Sequence, residues 1–283
     1  MISPRRSTAS VRVERRRAGA ARSRRDAVTV EEPLEIRLRL PRQGGAIEQS
    51  VAVTMRTPGD DFELAAGFLF TEGLVDGAGD VGEIRYCTGE AAQEYNIVSV
   101  TLRDPDAFDP ASLTRNFYMT SSCGVCGKAS LEAVEISGRA PLPDGGLQVA
   151  PAVLRSVPER LLAAQPVFDR TGGIHAAALL TPEGEITLLR EDVGRHNAVD
   201  KAIGHELLEG RLPIRDRFLA VSGRSSFEIM QKALVAGIPM VVAVGAPSSL
   251  AVELARRFNM TLVGFARADG FNVYFDAARV ADG

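Results

Sequence analysis

Apolar positions in the second half of the chain predict alternating strands and helices. The run at 240–244 is continuously apolar, as expected for a parallel strand covered on both faces, and apolar residues recur at helical spacing in the segments that follow the strands. The predicted strands cover residues 174–180, 186–189, 218–221, 240–244, 262–265 and 271–275, and the predicted helices cover 154–164, 197–208, 227–236 and 250–258. This order predicts a three-layer α/β/α arrangement around a mixed sheet.

The first half carries a different pattern. Residues 35–40 alternate between apolar and polar, and residues 51–55 repeat the alternation after the Gly44-Gly45 turn, so both segments are predicted strands. A helix with an apolar face begins after Pro58 and ends before Gly73, and residues 81–87 and 96–102 are two further predicted strands. We expect a small α+β unit here.

These patterns divide the chain into three regions. The fold class is α/β: a smaller α+β domain over residues 28–112 precedes a larger three-layer domain over residues 113–283. Residues 1–27 contain nine arginines and little apolar periodicity, and we expect them to form a disordered tail. A tether for nucleic acid or membrane, or a transit peptide, is the alternative for this tail.

Charge and composition narrow the classes of protein. Residues 1–25 carry a charge of +8, and the remainder carries −11 within a net charge of −3. A hydrophobic fraction of 45% excludes disorder of the whole chain, and no apolar run reaches the roughly 20 residues of a membrane span. Of 33 basic residues only Lys128, Lys201 and Lys232 are lysine, which hints at roles that arginine does not fill.

Three cysteines are too few for a disulfide scaffold and suit a reducing cytoplasm. Cys87 is expected to be a small buried residue, whereas Cys123 and Cys126 form a Cys-x-x-Cys pair in a loop, about 119–130, that is rich in serine and glycine. Half of a zinc site, a thioredoxin-like dithiol and a structural pair are possible interpretations. The fourth is sulfur carriage, in which a thiolate whose pKa Lys128 lowers holds sulfur as a persulfide.

Two junctions between a strand and a helix share one design. Residues 222–226 and 245–249 place glycine and paired serines where a strand ends, so each junction offers either a simple helix cap or an anion site at a helix N-terminus. Consecutive strands of an α/β sheet bring such junctions together in the usual ligand crevice. The residues expected to bind a phosphate-bearing ligand are Ser222, Gly223, Arg224, Ser225, Gly245 and Ser248.

Residues 191–201 form the densest polar block, Glu-Asp-Val-Gly-Arg-His-Asn-Ala-Val-Asp-Lys. A helix start explains part of it but not the crowding of Arg195, His196, Asp200 and Lys201. His196 is therefore a further candidate for the ligand site, although a single histidine is more often structural.

Taken together, three motifs resemble the FdhD family of formate dehydrogenase accessory sulfurtransferases. They are Ser-Ser-Cys-Gly-x-Cys-Gly at 121–127, the polar block at 191–201, and Ser-Gly-Arg-x-Ser-x-Glu at 222–228. The Gly-Ala-Pro-Ser-Ser junction at 245–249 also fits. The resemblance covers about residues 28–276 in the family's order.

The resemblance implies a cytidine-deaminase-like C-terminal domain without the zinc signature of deaminases, so neither deamination nor a structural metal is expected. It implies that sulfur from an IscS-type cysteine desulfurase passes to the bis-molybdopterin guanine dinucleotide cofactor (Mo-bisMGD) that formate dehydrogenase needs. Cys123 would carry the persulfide with Cys126 as its partner. A family cofactor-binding segment falls on Phe265, Ala266, Arg267, Ala268, Asp269 and Gly270.

Two other functions stay open at this point: a non-catalytic chaperone that only binds the molybdenum cofactor, and a zinc-stabilised nucleotide-binding module. The expected partners are the desulfurase and formate dehydrogenase, with a homodimer as a further possibility. We expect neither nucleic-acid binding nor insertion into a membrane, and a cytoplasmic location.

Overall fold

The computed structural model describes residues 6–18, 20–87, 95–104 and 140–282, which contain twelve strands and six helices. The strands are β1 (Thr8–Arg17), β2 (Ala20–Thr29), β3 (Glu32–Arg42), β4 (Gly45–Arg56), β5 (Val81–Tyr86), β6 (Ile97–Leu102), β7 (His175–Leu180), β8 (Ile186–Asp192), β9 (Phe218–Val221), β10 (Met240–Ala243), β11 (Thr261–Arg267) and β12 (Gly270–Phe275). The helices are α1 (Asp61–Thr71), α2 (Pro151–Ala163), α3 (Pro166–Thr171), α4 (Arg195–Leu208), α5 (Phe227–Val235) and α6 (Ser249–Arg257).

A six-stranded mixed sheet forms the larger part of the fold, in the order β12-β11-β10-β9-β7-β8. β9, β10 and β11 run parallel, whereas β7, β8 and β12 pair antiparallel with their neighbours. α4, α5 and α6 pack on one face of the sheet and α2 on the other, so the central strands are buried on both sides. The predicted three-layer arrangement is confirmed. No helix in the described ranges combines the length and the apolar character needed to cross a bilayer.

The smaller unit is a four-stranded sheet, in the order β4-β3-β6-β5, with α1 packed on it. Along β3 every second side chain is buried, because the strand turns Leu34, Ile36, Leu38 and Leu40 towards the core. This core is continuous with that beneath α4 and α5. The predicted α+β unit is therefore present, and the limits of the two predicted domains stay predictions.

α1 and α4 join the two sheets at a glycine contact. A Cβ atom on Gly204 would lie 1.9 Å from the Glu63 carbonyl oxygen, and one on Gly67 would lie 1.9 Å from the Asp200 carbonyl oxygen. Only glycine allows backbones to approach this closely. The contact was not predicted, although each glycine interrupts a helical apolar pattern.

Two buried lysines flank that contact. The Lys201 Nζ atom lies 2.7 Å from Asp192 Oδ2 and donates to the Thr57 carbonyl oxygen at 2.9 Å. Lys232 Nζ lies 3.0 Å from Asp200 Oδ1 and 3.1 Å from Glu72 Oε1. We call α1, α4 and these two ion pairs the helix crossing.

Burial opposes the charged form of Lys232, but Asp200 and Glu72 outweigh it and raise the pKa of this lysine above its ordinary value. The scarcity of lysine in the sequence suggested roles that arginine does not fill. For Lys201 and Lys232 that role is a buried ion pair. Lys128 lies outside the described residues.

The arginine-rich start differs from the predicted disordered tail over residues 1–27. β1 and β2 pair antiparallel from Thr8↔Thr29 to Arg17↔Ala20, a two-stranded sheet that we call the ribbon. The Thr29 and Thr171 hydroxyls, 2.9 Å apart, fix its open end to α3. The arginines between and around Val11 and Val13 obscured the alternating pattern of a strand. The short helix α3, which holds the ribbon, was not predicted either.

Cys87 also differs from its prediction. The thiol follows β5 and is half-buried rather than enclosed, with Sγ 3.9 Å from Glu48 Oε2. Burial and, secondly, the Glu48 carboxylate raise the pKa of this thiol. A raised pKa disfavours the thiolate, so Cys87 is a poor nucleophile.

Candidate functional site

Three helices begin at one edge of the six-stranded sheet, because α4, α5 and α6 each follow a strand that ends there. The β11–β12 hairpin and the first residue of β7, His175, reach the same edge. We call this edge, formed by residues 194–196, 222–226, 244–248 and 265–270, the carboxyl edge. Helix N-termini present free N–H groups and the positive ends of helix dipoles, which favour an anion.

The two predicted anion junctions are joined to each other. Gly245 N–H donates to the Gly223 carbonyl at 2.9 Å, Ser225 N–H to the Ala246 carbonyl at 3.2 Å, and Ser248 N–H to the Ser225 carbonyl at 3.0 Å. These N–H groups therefore hold the loops together rather than facing a ligand. The two junctions, residues 222–226 and 245–249, therefore form one hydrogen-bonded unit, which we call the ledge.

The serines of the ledge have different tasks. Ser248 caps α6, because its Oγ accepts from Ala251 N–H at 3.2 Å. Ser222 Oγ accepts from Ala176 N–H at 2.9 Å and ties the ledge to β7. Ser226 precedes α5 without capping it, and its hydroxyl lies 3.1 Å from His196 Nε2.

Close packing explains the glycines at this edge. A Cβ on Gly245 would lie 2.9 Å from the Gly223 carbonyl oxygen, and one on Gly223 would lie 3.3 Å from His175 Nδ1. Gly264, which the sequence reasoning missed, would bring a Cβ to 2.9 Å from Pro247 Cδ. A glycine inside the apolar run of β11 was the available signal.

The predicted cofactor segment lies on the β11–β12 hairpin beside the ledge. Phe265 N–H donates to the Gly245 carbonyl at 3.1 Å, while the Phe265 ring is exposed and its backbone is left-handed, with φ of 51°. Ala266 is buried beneath the hairpin. The side chains of Arg267, Ala268 and Asp269 are exposed to solvent, and Gly270 is partly buried.

The polar block at 191–201 divides between two regions. Asp192 Oδ1 accepts from Gly194 N–H at 2.8 Å and from Asn197 Nδ2 at 3.0 Å, and Asn197 also donates to the Met55 carbonyl at 2.8 Å. Asp192, Asn197 and Lys201 are thus buried and join the turn before α4 to the end of β4. Arg195 and His196 remain at the carboxyl edge, partly exposed.

The His196 ring lies between Glu228 of α5 and Ser226, the residue that precedes this helix. Its Nε2 is 2.8 Å from Glu228 Oε2 as well as 3.1 Å from Ser226 Oγ. The hydrogen bond from His196 lowers the pKa of Glu228. Burial, and then the charges of Arg195 and His196, lower the pKa of His175. His175 therefore favours its neutral form, in which the ring can donate and accept hydrogen bonds.

Two buried polar atoms at this edge have no hydrogen-bond partner among the described residues: Ser225 Oγ and Arg195 Nε. Buried polar atoms are normally paired, because an unpaired one loses its hydration without compensation. Beside them the Arg224 guanidinium is exposed. The edge therefore combines basic side chains, helix dipoles and unpaired donors, an arrangement suited to phosphate.

A cavity of about 530 Å³ opens on the opposite face of the same edge, between the sheet and α2 and α3. Its walls include Leu161, Phe168 and Val244, and its polar groups include His175 and Ser222. Gln165, 4% exposed, adds an Nε2 atom without a partner in the described part of the chain. The sequence reasoning missed this cavity because it did not predict α3.

Cys123 and Cys126 lie outside the described residues, as does the whole predicted loop at 119–130. Their roles, and the cofactor-binding roles of the residues above, stay predictions.

Comparisons with known proteins agree with the resemblance found in the sequence. A protein named sulfur carrier protein FdhD from Mycolicibacterium paratuberculosis is 53% identical over 277 residues, covering 96% of this chain and 98% of the relative. One of the same name from Streptomyces avermitilis is 51% identical over 274 residues, covering 95% and 94%.

Among solved structures, a formate dehydrogenase accessory protein from Desulfotalea psychrophila superposes with a TM-score of 0.73 at 26% identity, covering 98% of this chain and 100% of that one. The family model for FdhD/NarQ matches residues 29–281. With the fold, the joined junctions and these matches in place, the chain belongs to the FdhD/NarQ family.

Proposed function

We propose that this protein is a sulfur carrier that serves formate dehydrogenase in the cytoplasm, taking sulfur from a cysteine desulfurase and passing it to the Mo-bisMGD cofactor. The observation that carries the proposal is the sequence similarity to proteins named sulfur carriers, which are 53% and 51% identical to this chain over nearly its full length. The Cys-x-x-Cys motif supplies the thiols that such a function needs.

In the first step, the Cys123 thiolate attacks the outer sulfur of a persulfide on an IscS-type desulfurase. The sulfur–sulfur bond of the donor breaks, its cysteine leaves as a thiolate, and Cys123 becomes a persulfide, so no external oxidant or reductant is consumed. In the second step, the Cys126 thiolate attacks the inner sulfur of the Cys123 persulfide. The sulfur–sulfur bond of the persulfide breaks, the outer sulfur leaves as hydrosulfide for the cofactor, and Cys123 and Cys126 are left as a disulfide that a dithiol reductant restores.

The carboxyl edge supports the acceptor half of the proposal. A guanine dinucleotide carries phosphates, and Arg224, Arg195 and the N-terminus of α5 supply positive charge for them. The Ser225 hydroxyl beside them has no partner among the described residues. His196, held by Glu228, adds a ring nitrogen at the same place. The exposed Phe265 and Arg267 extend this surface along the hairpin.

Intact-mass measurement tests the sulfur step. After incubation with a cysteine desulfurase and cysteine, we expect a gain of one sulfur that a reductant removes. Cys123→Ala should abolish the gain, and Cys87→Ala is the matched control that should retain it, because Cys87 has a raised pKa. Full loading of Cys123→Ala would contradict the assignment.

Calorimetry with GDP, a fragment of the cofactor, tests the acceptor site. Arg224→Ala removes a guanidinium at the edge and should weaken GDP binding by about tenfold, as expected for one charged hydrogen bond. Arg256→Ala is the control, since this exposed arginine lies in the last turn of α6, away from the edge. Equal affinity of Arg224→Ala and the unaltered protein would remove Arg224 from the site.

A second candidate, a chaperone that binds the cofactor without carrying sulfur, is favoured by one observation: the described part of the edge contains groups for binding, namely the exposed Arg224 and the buried Ser225 hydroxyl. A double variant with serine at 123 and 126 decides between the two. Formate dehydrogenase that matures normally with this variant would favour the chaperone.

A further inference from the structure

The ribbon is a dense and exposed array of positive charge. Residues 6–29 contain eight arginines and two carboxylates, hence +6, whereas residues 30–283 carry −10. Every one of these arginines is exposed. A basic element on an acidic body is an electrostatic footprint for an acidic partner.

The register of the ribbon places like charges opposite each other. Arg12 faces Arg25 and Arg15 faces Arg22 across the two strands. Within the ribbon, ion pairs join Arg16 to Glu14 and Arg24 to Asp26, and no ion pair between described residues involves the four opposed arginines. Directly opposed like charges destabilise a strand pair. Carboxylates between them would relieve the repulsion.

The ribbon also projects from the rim of the candidate site. Its base is held by α3, through Thr29 with Thr171 and through a hydrogen bond from the Arg170 guanidinium to the Thr8 hydroxyl. α3 and the glycines after it, Gly172 and Gly173, form one wall of the 530 Å³ cavity at the carboxyl edge. The base of the ribbon is therefore anchored beside that edge.

The ribbon lies outside the part of the chain that defines the family. The family model begins at residue 29, whereas the mycobacterial and streptomycete relatives align over 96% and 95% of this chain, which reaches into the ribbon. These relatives, and the solved structure from Desulfotalea psychrophila that covers 98% of this chain, thus extend over residues of the ribbon as well.

We propose that the ribbon is a docking arm for an acidic surface of the formate dehydrogenase apoenzyme, which it holds over the carboxyl edge. The proposal rests on the proposed function for the identity of the acceptor. Carboxylates within the ribbon, Glu14 and Asp26, would repel the closely spaced phosphates of a nucleic acid. These charges favour a protein surface over nucleic acid.

Affinity measurements with matched variants test the arm. The full chain and a variant with Arg12→Gln, Arg15→Gln, Arg22→Gln and Arg25→Gln are bound to immobilised formate dehydrogenase apoenzyme. The control removes four arginines outside the ribbon, with Arg39→Gln, Arg155→Gln, Arg215→Gln and Arg256→Gln, so both variants have the same net charge. A third variant carries lysine at the four ribbon positions.

We expect the ribbon variant to bind at least about tenfold more weakly, with a shallower salt dependence between about 50 and 200 mM, and the control to change by less than about twofold. The lysine variant should recover most of the affinity, which excludes a folding defect. Unchanged affinity of the ribbon variant, or no binding by the unaltered chain, overturns the proposal. So does a loss confined to a cysteine desulfurase or to duplex DNA, tested in parallel.

One further readout separates this proposal from the sulfur-carrier proposal. A small persulfide donor needs no docking surface, so it should load Cys123 equally in the unaltered chain and in the ribbon variant. Failure to load the unaltered chain would count against sulfur carriage and leave the binding result intact. Weaker docking with normal loading would support the arm.

Discussion

The helix crossing and the carboxyl edge are both rich in charged residues, but they use them in opposite ways. At the crossing, Lys201 and Lys232 are enclosed, and each Nζ atom lies within 3.1 Å of a carboxylate. At the edge, Arg224 is exposed and Ser225 Oγ and Arg195 Nε are buried without partners in the described residues. Satisfied polar groups stabilise a fold, whereas unsatisfied ones indicate a place for a ligand.

The largest expected effect is at the crossing. Lys201→Met would leave the Asp192 carboxylate buried without its cation, which costs about 3–5 kcal/mol of unfolding free energy. Urea unfolding followed by circular dichroism measures the change. Arg256→Met, at an exposed position of α6, is the control and should stay within about 0.5 kcal/mol. A loss below about 1 kcal/mol for Lys201→Met would contradict an enclosed ion pair.

Gly204→Ala should follow, with a loss of about 3 kcal/mol, because its Cβ meets the Glu63 backbone and the helices must separate. Gly79→Ala is the matched control, since no atom of the described residues lies within 4 Å of a Cβ there. The same unfolding experiment compares them. Equal stability of the two variants would show that the helices of the crossing are not in contact.

Acid should weaken the crossing through the far end of α4. Burial alone would raise the pKa of Glu206, but hydrogen bonds from Arg211 and Arg217 outweigh it and hold the pKa at about 2, below the ordinary 4.5. Because the folded pKa is depressed, the stabilisation is present above pH 4.5 and is lost as the pH falls towards 2. Glu206→Gln should therefore cost about 2 kcal/mol at pH 7.

The stability difference between Glu206→Gln and the unaltered chain should shrink as the pH falls below 4.5. Glu209→Gln is the control, since this carboxylate is 54% exposed and lies 3.3 Å from Arg211. It should change stability by less than about 0.5 kcal/mol at any pH. A pH-independent difference for Glu206→Gln would exclude the ionised carboxylate as its cause.

The smallest effects on stability are expected at the carboxyl edge. Ser248→Ala removes a helix cap and should cost about 1 kcal/mol. Ser225→Ala removes a hydroxyl that has no partner among the described residues, so the stability of this variant should change by less than about 0.5 kcal/mol. GDP affinity should nevertheless fall in Ser225→Ala, as calorimetry would show. Lower stability with unchanged affinity would make Ser225 a structural residue.

The sequence predicted the strands and helices of the six-stranded sheet to within about three residues, because continuous apolar runs bounded by glycine and serine leave few alternatives. It placed helix Phe227–Val235 at 227–236 and strand Met240–Ala243 at 240–244. It missed the ribbon and α3, whose arginine-rich or very short sequences carry no clear apolar period.

The site was predicted in outline only. Sequence motifs located the junctions, but two loops that hydrogen-bond to each other cannot be recognised from either one alone. The polar block shows why: Asp192 and His196 stand four positions apart in one motif, yet one is buried in the crossing and the other faces the site. Whether a residue of this block is buried depends on the elements that pack against α4. These elements are β4 and α1, which the block itself does not specify.

The glycine contact between α1 and α4 also limits how this protein can move. Rotating the four-stranded sheet against the six-stranded sheet would drive the Glu63 and Asp200 carbonyls into the opposing helix. It would also separate Lys232 from Glu72 and Lys201 from the Thr57 carbonyl. The glycine contact therefore opposes rotation of one sheet against the other. Any opening that admits a large ligand falls to the surface loops and the ribbon, and no hinge between the sheets is required.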